Sequence, residues 1–239
     1  MLNTFILILF ICFTLNAQEV VNFFSKDSLL ITANLYEENF NYPYIVLFHQ
    51  ARFSRGEYKE IAPKLTNLGY NCLAVDLRSG DYVNNVYNET AKRARDKNLS
   101  TSYLDALPDI EAAIEYAYNI SKKPVVVFGS SYSASLALIV AKKNPLVKAV
   151  VVFSPGEYFG EKLNIQNSII GFDKPVFIAC SQREYPYVEQ LALNIPADLK
   201  TIFYPKNHPG EHGAKALWST NPSNKEYWLA LLMFFNKLK

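Results

Sequence analysis

The segment best suited to chemistry is PVVVFGSSYSASLALIV, which begins at Pro124. An apolar strand ends at Phe128, Gly129 allows a sharp turn, Ser131 lies at its apex, and a helix begins at about Ser133. This order is the context of a G-x-S-x-G nucleophile elbow, in which small neighbours expose a serine hydroxyl. Ser133 replaces the second glycine and is also small. The segment predicts Ser131 as a nucleophile, and the alternative is an unreactive serine-rich helix cap.

A reactive serine needs a general base and an acid that orients the base. For a serine on such an elbow, the order along the chain is serine, acid, histidine. Glu184 follows the predicted strand PVFIAC, in the loop at the carboxyl end of that strand, and is the predicted acid. Two histidines downstream, His208 and His212, are both open as the base at this point.

Other titratable residues compete for these roles. Asp173 precedes its strand and lies at the wrong end of the sheet, and Glu189 falls within a predicted helix. Glu184 itself has an alternative interpretation as a solvated surface charge. His49 and Asp76 precede the serine and are interpreted as structural residues.

Acyl transfer also needs two backbone N–H donors that stabilise the negative oxygen of the intermediate. One belongs to the residue after the nucleophile, which is Tyr132. The other comes from the loop after the first central strand, where the candidates are Ala51 and Gln50.

The elements that must position these residues follow from the apolar pattern. VVNFF and LLITANLYE alternate and predict two antiparallel strands. Later short runs are continuously apolar, which is typical of parallel strands buried on both faces. These runs are YIVLFH, YNCLAVD, PVVVFG, VKAVVVF, PVFIAC and LKTIFY. Helical patterns alternate with them, so we predict a doubly wound α/β fold with a mostly parallel central sheet flanked by helices. The polar segment 78–100 is predicted as a long loop or irregular insertion.

The chain has 239 residues, of which 50% are hydrophobic, and a net charge of +2, so nothing indicates a nucleic-acid partner. An apolar run from Phe5 to Leu15 predicts a signal peptide over residues 1–17, cleaved after Ala17, with an uncleaved anchor as the alternative. We therefore expect export to the periplasm or medium, one domain over 18–239 and no stable membrane insertion. Cys72 and Cys180 lie in predicted strands and are expected to be buried free thiols.

The sequence resembles the α/β-hydrolase superfamily, and within it the small dienelactone-hydrolase-like esterases and related cap-poor hydrolases, from about Ile45 to the C-terminal helix. GSSYS is similar to the nucleophile motif, and PVFIACSQRE to the strand and turn that carry the acid, with Glu184 in place of Asp. LFHQARFSRGEYKEIAPKLTNLGYNCLAVDLRSG is similar to the oxyanion strand and the elements after it. His212 is followed by Gly213, as is the catalytic histidine of the family, so the resemblance implies His212 as the base.

The resemblance implies hydrolysis of an ester or similar acyl compound through an acyl-enzyme, with a small-molecule substrate and no cofactor or metal. A peptidase or acyltransferase with the same triad is an alternative, and so is a catalytically silent binding protein. The stretch from Ser154 to Lys174 is too short for a large lid, which predicts an open pocket. Aromatic residues proposed to line it are Tyr82, Tyr87, Tyr158, Phe159 and Tyr185.

Overall fold

A computed structural model describes residues 18–238. The predicted signal peptide, residues 1–17, lies outside the described residues. Eight strands form one sheet in the order β1-β2-β4-β3-β7-β8-β9-β10, and β5 and β6 form a separate hairpin. The strands are β1 Gln18–Phe24, β2 Leu30–Tyr36, β3 Tyr44–Phe48, β4 Asn71–Val75, β5 Tyr82–Val83, β6 Val86–Tyr87, β7 Val125–Ser130, β8 Val147–Phe153, β9 Val176–Ala179 and β10 Lys200–Phe203.

Burial on both faces explains why the central strands read as continuous apolar runs. Every residue of β3, β4, β7 and β9 is buried, and the pairs from β4 through β3, β7, β8 and β9 to β10 are all parallel. The first two strands pair antiparallel, and β2 joins β4 antiparallel. The predicted fold class is therefore confirmed: the chain has an α/β-hydrolase fold with an antiparallel N-terminal strand pair.

Helices cover both faces of this sheet. They are α1 Ala62–Thr66, α2 Glu89–Asp96, α3 Leu107–Ser121, α4 Tyr132–Lys143, α5 Ile165–Ser168, α6 Tyr185–Leu191 and α7 Asn224–Lys237. Apolar residues of α3 and α4 pack with Val46 and Phe48 in one core, whereas those of α1 and α7 pack with Ile45 and Leu47 in a second core. Successive side chains of β3 thus point to opposite faces of the sheet and pack in two separate cores.

Segment 78–100 was predicted as a long loop or irregular insertion, and the loop alternative is wrong for much of its length. The segment contains the β5–β6 hairpin and helix α2. The Asn88 side chain caps α2, the Asp76 carboxylate accepts the N–H of Glu89 at 2.8 Å, and Thr90 accepts the N–H of Thr32. The polar residues that suggested a loop are hydrogen-bonded to the backbone of the sheet and of α2.

Cys72 and Cys180 are buried free thiols, as predicted. Within residues 18–238, no helix has the length and apolar character needed to cross a membrane.

Candidate active site

Ser131 lies at the apex of a tight turn between β7 and α4. Its φ of 59° is unusual for a residue with a side chain, and its N–H donates to the carbonyl of Phe153 at 2.8 Å. A Cβ at Gly129 would lie 2.5 Å from the Cα of Ala134, so only glycine lets helix and strand approach this closely. The local geometry is that of the predicted elbow.

Ser133, at the position where the motif has its second glycine, is fully buried within the elbow. Its hydroxyl lies 2.8 Å from the carbonyl oxygen of Phe48 and accepts the N–H of Ser130 at 3.0 Å. The serine therefore ties the end of β7 to the end of β3. This departure from the motif has a structural role and leaves the turn intact.

The tertiary fold brings Ser131, His212 and Glu184 together. The Oγ of Ser131 lies 2.9 Å from Nε2 of His212, and Nδ1 of the same ring is hydrogen-bonded to Oε1 of Glu184. A carboxylate can only accept, so Nδ1 carries the proton and Nε2 is free to accept the Ser131 hydroxyl. The three residues form one continuous chain of hydrogen bonds.

Glu184 is held by donors on its second oxygen. Its Oε2 accepts the N–H and the hydroxyl of Ser181, each at 2.9 Å, and the hydroxyl of Ser154 at 2.8 Å. Burial raises the pKa of Glu184, but the hydrogen bonds from His212, Ser181 and Ser154 outweigh it and lower the pKa to about 2. Glu184 is therefore ionised at neutral pH. Ser181 lies three residues before Glu184, and the long Glu side chain reaches back to the Ser181 N–H.

The loop that carries His212, residues 211–214, is named the histidine loop. Gly213 has a φ of 74°, and a Cβ there would lie 2.8 Å from the Ser130 hydroxyl. Its N–H donates to the Ser154 hydroxyl at 3.0 Å, and the N–H of Ala214 donates to the Ser130 hydroxyl at 2.8 Å. Serine hydroxyls from the ends of β7 and β8 thus fix the loop. No local sequence pattern had pointed to Ser130 or Ser154.

The competing residues lie elsewhere. His208 is exposed and forms no side-chain hydrogen bond with the described residues. Asp173 has a side chain that is 73% exposed, and Glu189 accepts a hydrogen bond from Tyr185 on the outer surface of α6. Asp76 pairs with Arg55.

His49 is a buried structural residue, as predicted. Its Nδ1 lies 2.8 Å from the carbonyl of Gln50, and its Nε2 accepts the N–H of Leu77 at 2.9 Å. Burial lowers the pKa of His49 to about 4, so the ring is neutral and Nδ1 donates.

The loop after β3, residues 49–53, is named the oxyanion loop. The Gln50 backbone N–H donates to Glu57 at 2.8 Å, so it is not free to donate to a substrate oxygen. This contact corrects the prediction of Gln50 as an oxyanion donor. The N–H groups of Ala51 and Tyr132 make no hydrogen bond among residues 18–238. Phe48 pairs with Gly129 in the sheet, so the oxyanion loop and the elbow begin next to each other at the carboxyl ends of adjacent strands.

A cavity of about 390 Å³ adjoins Glu184. Its lining residues are Pro155, Gly156, Glu157, Tyr158, Gln166, Glu184, Tyr187, Val188, Gln190 and Leu191. Burial raises the pKa of Tyr158 to about 12, and its hydroxyl donates to the carbonyl oxygen of Ser154 at 2.7 Å.

Other aromatic residues proposed for the pocket do not line it. Phe159 is in the core, Tyr82 packs against Tyr87 with tilted rings, and Tyr185 packs against Tyr204 in the same way. The sequence analysis did not identify Tyr103, whose ring stacks on that of Tyr132 with 4.4 Å between the ring centroids.

Within residues 18–238, no group of three or more His, Cys, Asp or Glu side chains is placed to hold a metal ion. The sheet order and the elbow define the class of protein as an α/β-hydrolase.

The chain belongs to the dienelactone hydrolase family, whose sequence profile matches residues 31–201. The match includes Ser131 and Glu184 and ends before His212. No curated protein matches the sequence.

Solved structures with this fold are similar over nearly the whole chain. Esterase Pf2001 of Pyrococcus furiosus has a TM-score of 0.71 at 15% identity, over 92% of both chains. A dienelactone hydrolase from Anabaena variabilis has a TM-score of 0.71 at 15% identity, over 92% of this chain and 97% of that one. The thioesterase domain from the curacin biosynthetic pathway has a TM-score of 0.66 at 13% identity, over 91% of this chain and 100% of that one. At these identities the likeness concerns the fold.

Proposed function

We propose that this member of the family is a serine hydrolase that acts on esters or similar acyl compounds through Ser131, His212 and Glu184. The observation that carries the proposal is the unbroken hydrogen-bonded series from the Ser131 hydroxyl through both ring nitrogens of His212 to Glu184. A serine is activated when a base accepts its proton and a carboxylate orients that base.

In the first half-reaction, Nε2 of His212 takes the Ser131 proton as Oγ attacks the substrate carbonyl. The carbonyl oxygen becomes an oxyanion, which accepts from the N–H groups of Ala51 and Tyr132. Tyr132 is the first residue of α4, so the positive end of the helix dipole adds to this stabilisation. His212 then gives its proton to the leaving alcohol, and the acyl group remains on Ser131.

In the second half-reaction, His212 removes a proton from water, and the resulting hydroxide attacks the acyl-enzyme. A second tetrahedral intermediate forms at the same oxyanion site and collapses to the free acid, and the proton returns to Ser131. Glu184 stays ionised throughout and stabilises the charged imidazole.

The substrate class rests on the cavity and on the structural neighbours. A volume of about 390 Å³ is near the lower end for small-molecule sites, and the lining combines apolar and aromatic side chains with four charged or amide ones. The names of the similar proteins, esterase, dienelactone hydrolase and thioesterase, all denote hydrolysis at an acyl carbon. We therefore propose a small acyl substrate.

Labelling with a fluorophosphonate tests the proposal, because this probe reacts with activated serines. We expect the wild-type chain to be labelled on the peptide that contains Ser131 and to hydrolyse short aryl esters. Ser131→Ala should abolish both the labelling and the hydrolysis.

Ser121→Ala is the matched control, because Ser121 lies at the end of α3 and is hydrogen-bonded only to nearby backbone. It should be labelled at the wild-type rate. A folded wild-type chain without labelling would contradict the serine mechanism and would leave the silent binding protein as the better explanation.

A further inference from the structure

Glu57 is a fully buried carboxylate beside the active site, in the short 3-10 helix Arg55–Tyr58. Its Oε2 accepts the N–H of Gln50 at 2.8 Å, and its Oε1 accepts the hydroxyl of Ser130 at 2.8 Å. Among residues 18–238, no Lys, Arg or His side chain forms an ion pair with it. A buried charge without a cationic partner is costly for the fold, so its presence points to a role in function.

We propose that Glu57 is a positioning residue that joins the oxyanion loop, the elbow and the histidine loop into one hydrogen-bonded unit. This inference rests on the proposed serine hydrolase function. Glu57 acts through Gln50 and Ser130 and does not itself touch the reacting atoms.

The effect on the oxyanion loop follows from the geometry of the peptide bond. Glu57 holds the N–H of Gln50, while the carbonyl of Gln50 accepts from His49 at 2.8 Å and from the N–H of Phe53 at 3.2 Å. This carbonyl and the N–H of Ala51 belong to one planar trans peptide and point in opposite directions. Holding both backbone groups of Gln50 therefore aims the Ala51 N–H towards the place of the oxyanion.

The effect on the histidine loop passes through Ser130. The Ser130 hydroxyl donates to Glu57 and accepts the N–H of Ala214 at 2.8 Å. Ala214 follows Gly213 directly, and Gly213 follows His212. The carboxylate thus fixes the position of the His212 ring relative to Ser131, which directly follows Ser130.

The ionised form of Glu57 fits this arrangement, because each oxygen faces a donor. Burial raises the pKa of Glu57 to about 7, and hydrogen bonds from Gln50 and Ser130 oppose this effect. The other titratable side chains that face Glu57 are His212, Lys215, Tyr58 and Tyr132. The positive charge of Lys215 favours the ionised form, and burial raises the pKa of both tyrosines, which keeps them neutral. The ionised fraction of Glu57 therefore increases as the pH rises through neutrality.

Glu57→Gln tests the proposal, because glutamine keeps the size of the side chain and one acceptor oxygen but has no charge and cannot accept at both ends. We expect kcat on a short aryl ester to fall about tenfold to a hundredfold, less than the loss when an oxyanion donor is removed outright. KM should change by less than about threefold, and the rate of fluorophosphonate labelling should fall with kcat.

The pH profile separates positioning from a general structural defect. The ratio of wild-type to Glu57→Gln rates should rise between about pH 6 and about pH 8, because only the wild type carries the titrating carboxylate. A merely structural role would give a ratio independent of pH.

Two further variants complete the experiment. Ser130→Ala cuts the link to the histidine loop and should lower kcat by about fivefold to tenfold, so it carries the test if Glu57→Gln does not fold. Asp109→Asn removes another buried carboxylate, which is paired with Arg78 and makes no hydrogen bond to the oxyanion loop, the elbow or the histidine loop, and should leave kcat within about twofold.

Wild-type kcat, labelling and pH dependence in folded Glu57→Gln would overturn the inference, as would wild-type kcat in folded Ser130→Ala. If the wild-type chain itself is not labelled, the proposed function fails first, and the inference falls with it.

Discussion

Glu184 and His212 owe their orientation to small polar side chains around them. Ser154, with a φ of 52°, donates to Glu184 and accepts the N–H of Gly213, so one hydroxyl fixes both the acid and the histidine loop. Ser181 donates twice to the same carboxylate oxygen. The other oxygen is thereby left for the ring of His212. A carboxylate held at one end and ionised at neutral pH is suited to orient an imidazole and to stabilise its charged form.

The identity of the base is tested by comparing the two histidines at the end of the chain. His212→Ala should lower kcat about a thousandfold or more, because Ser131 then has no proton acceptor. His208→Ala should leave kcat within about twofold, because His208 is exposed and remote from the bonded series. Steady-state kinetics on one aryl ester suffices. A mild loss in the first variant together with a severe loss in the second would reverse the assignment.

At the scale of the elements, two segments determine access to Ser131. The connection between β8 and β9 contains only one 3-10 turn and the short helix α5. The segment 78–100 is fastened to the sheet, because Arg93 donates to the carbonyl of Leu30 and Thr90 accepts from Thr32. The connection between β8 and β9 forms part of the wall of the cavity through Pro155, Gly156 and Tyr158.

The open pocket predicted from the short segment Ser154 to Lys174 sets an expectation for acyl-chain length. Each buried methylene contributes about 0.8 kcal/mol, so a deep acyl tunnel would favour long chains steeply, whereas a shallow site would not. We expect kcat/KM for aryl acetate and butyrate to exceed that for palmitate, with no activation at a lipid interface. The ratio kcat/KM across the series reports transition-state binding. A steady rise towards long chains would contradict the open site and would make segment 78–100 the first element to test as a lid.

At the scale of the whole molecule, the two cores and the buried carboxylates affect stability in opposite directions. The apolar residues of both sheet faces supply the favourable burial, whereas Glu57 is a charge without a cationic partner. Because burial raises its pKa to about 7 from 4.5, the folded chain keeps this proton over a pH range in which the unfolded chain has released it. The folded state binds more protons in that range, so its stability falls as the pH rises.

This effect is measurable as a difference between two unfolding series. Between about pH 4.5 and pH 7, the free energy of unfolding of the wild type should fall by up to about 3 kcal/mol more than that of Glu57→Gln, which has no such proton. Urea unfolding at several pH values gives both curves, and the titration of the other groups is shared. Parallel curves would show that the pKa of Glu57 is not raised by burial.

The sequence by itself determined the sheet and the elbow. Continuous apolar runs are required of strands buried on both faces, so β3, β4, β7, β8 and β9 could be predicted from the apolar pattern along the chain. The turn at Ser131 was readable because its constraints are local: Gly129 must admit the helix, and the neighbouring residues must be small. The order of serine, acid and histidine narrowed the partners to Glu184 and to two histidines.

Only the tertiary structure decided which polar groups meet. Glu57 contacts Ser130 across 73 positions of the chain, and His212 contacts Ser131 across 81. The same packing assigned the N–H of Gln50 to Glu57, whereas the N–H of Ala51 has no acceptor among residues 18–238. Such contacts depend on strand register and on how the crossovers return to the sheet, which no local periodicity encodes. Buried polar groups must still find partners, and the fold as a whole selects them.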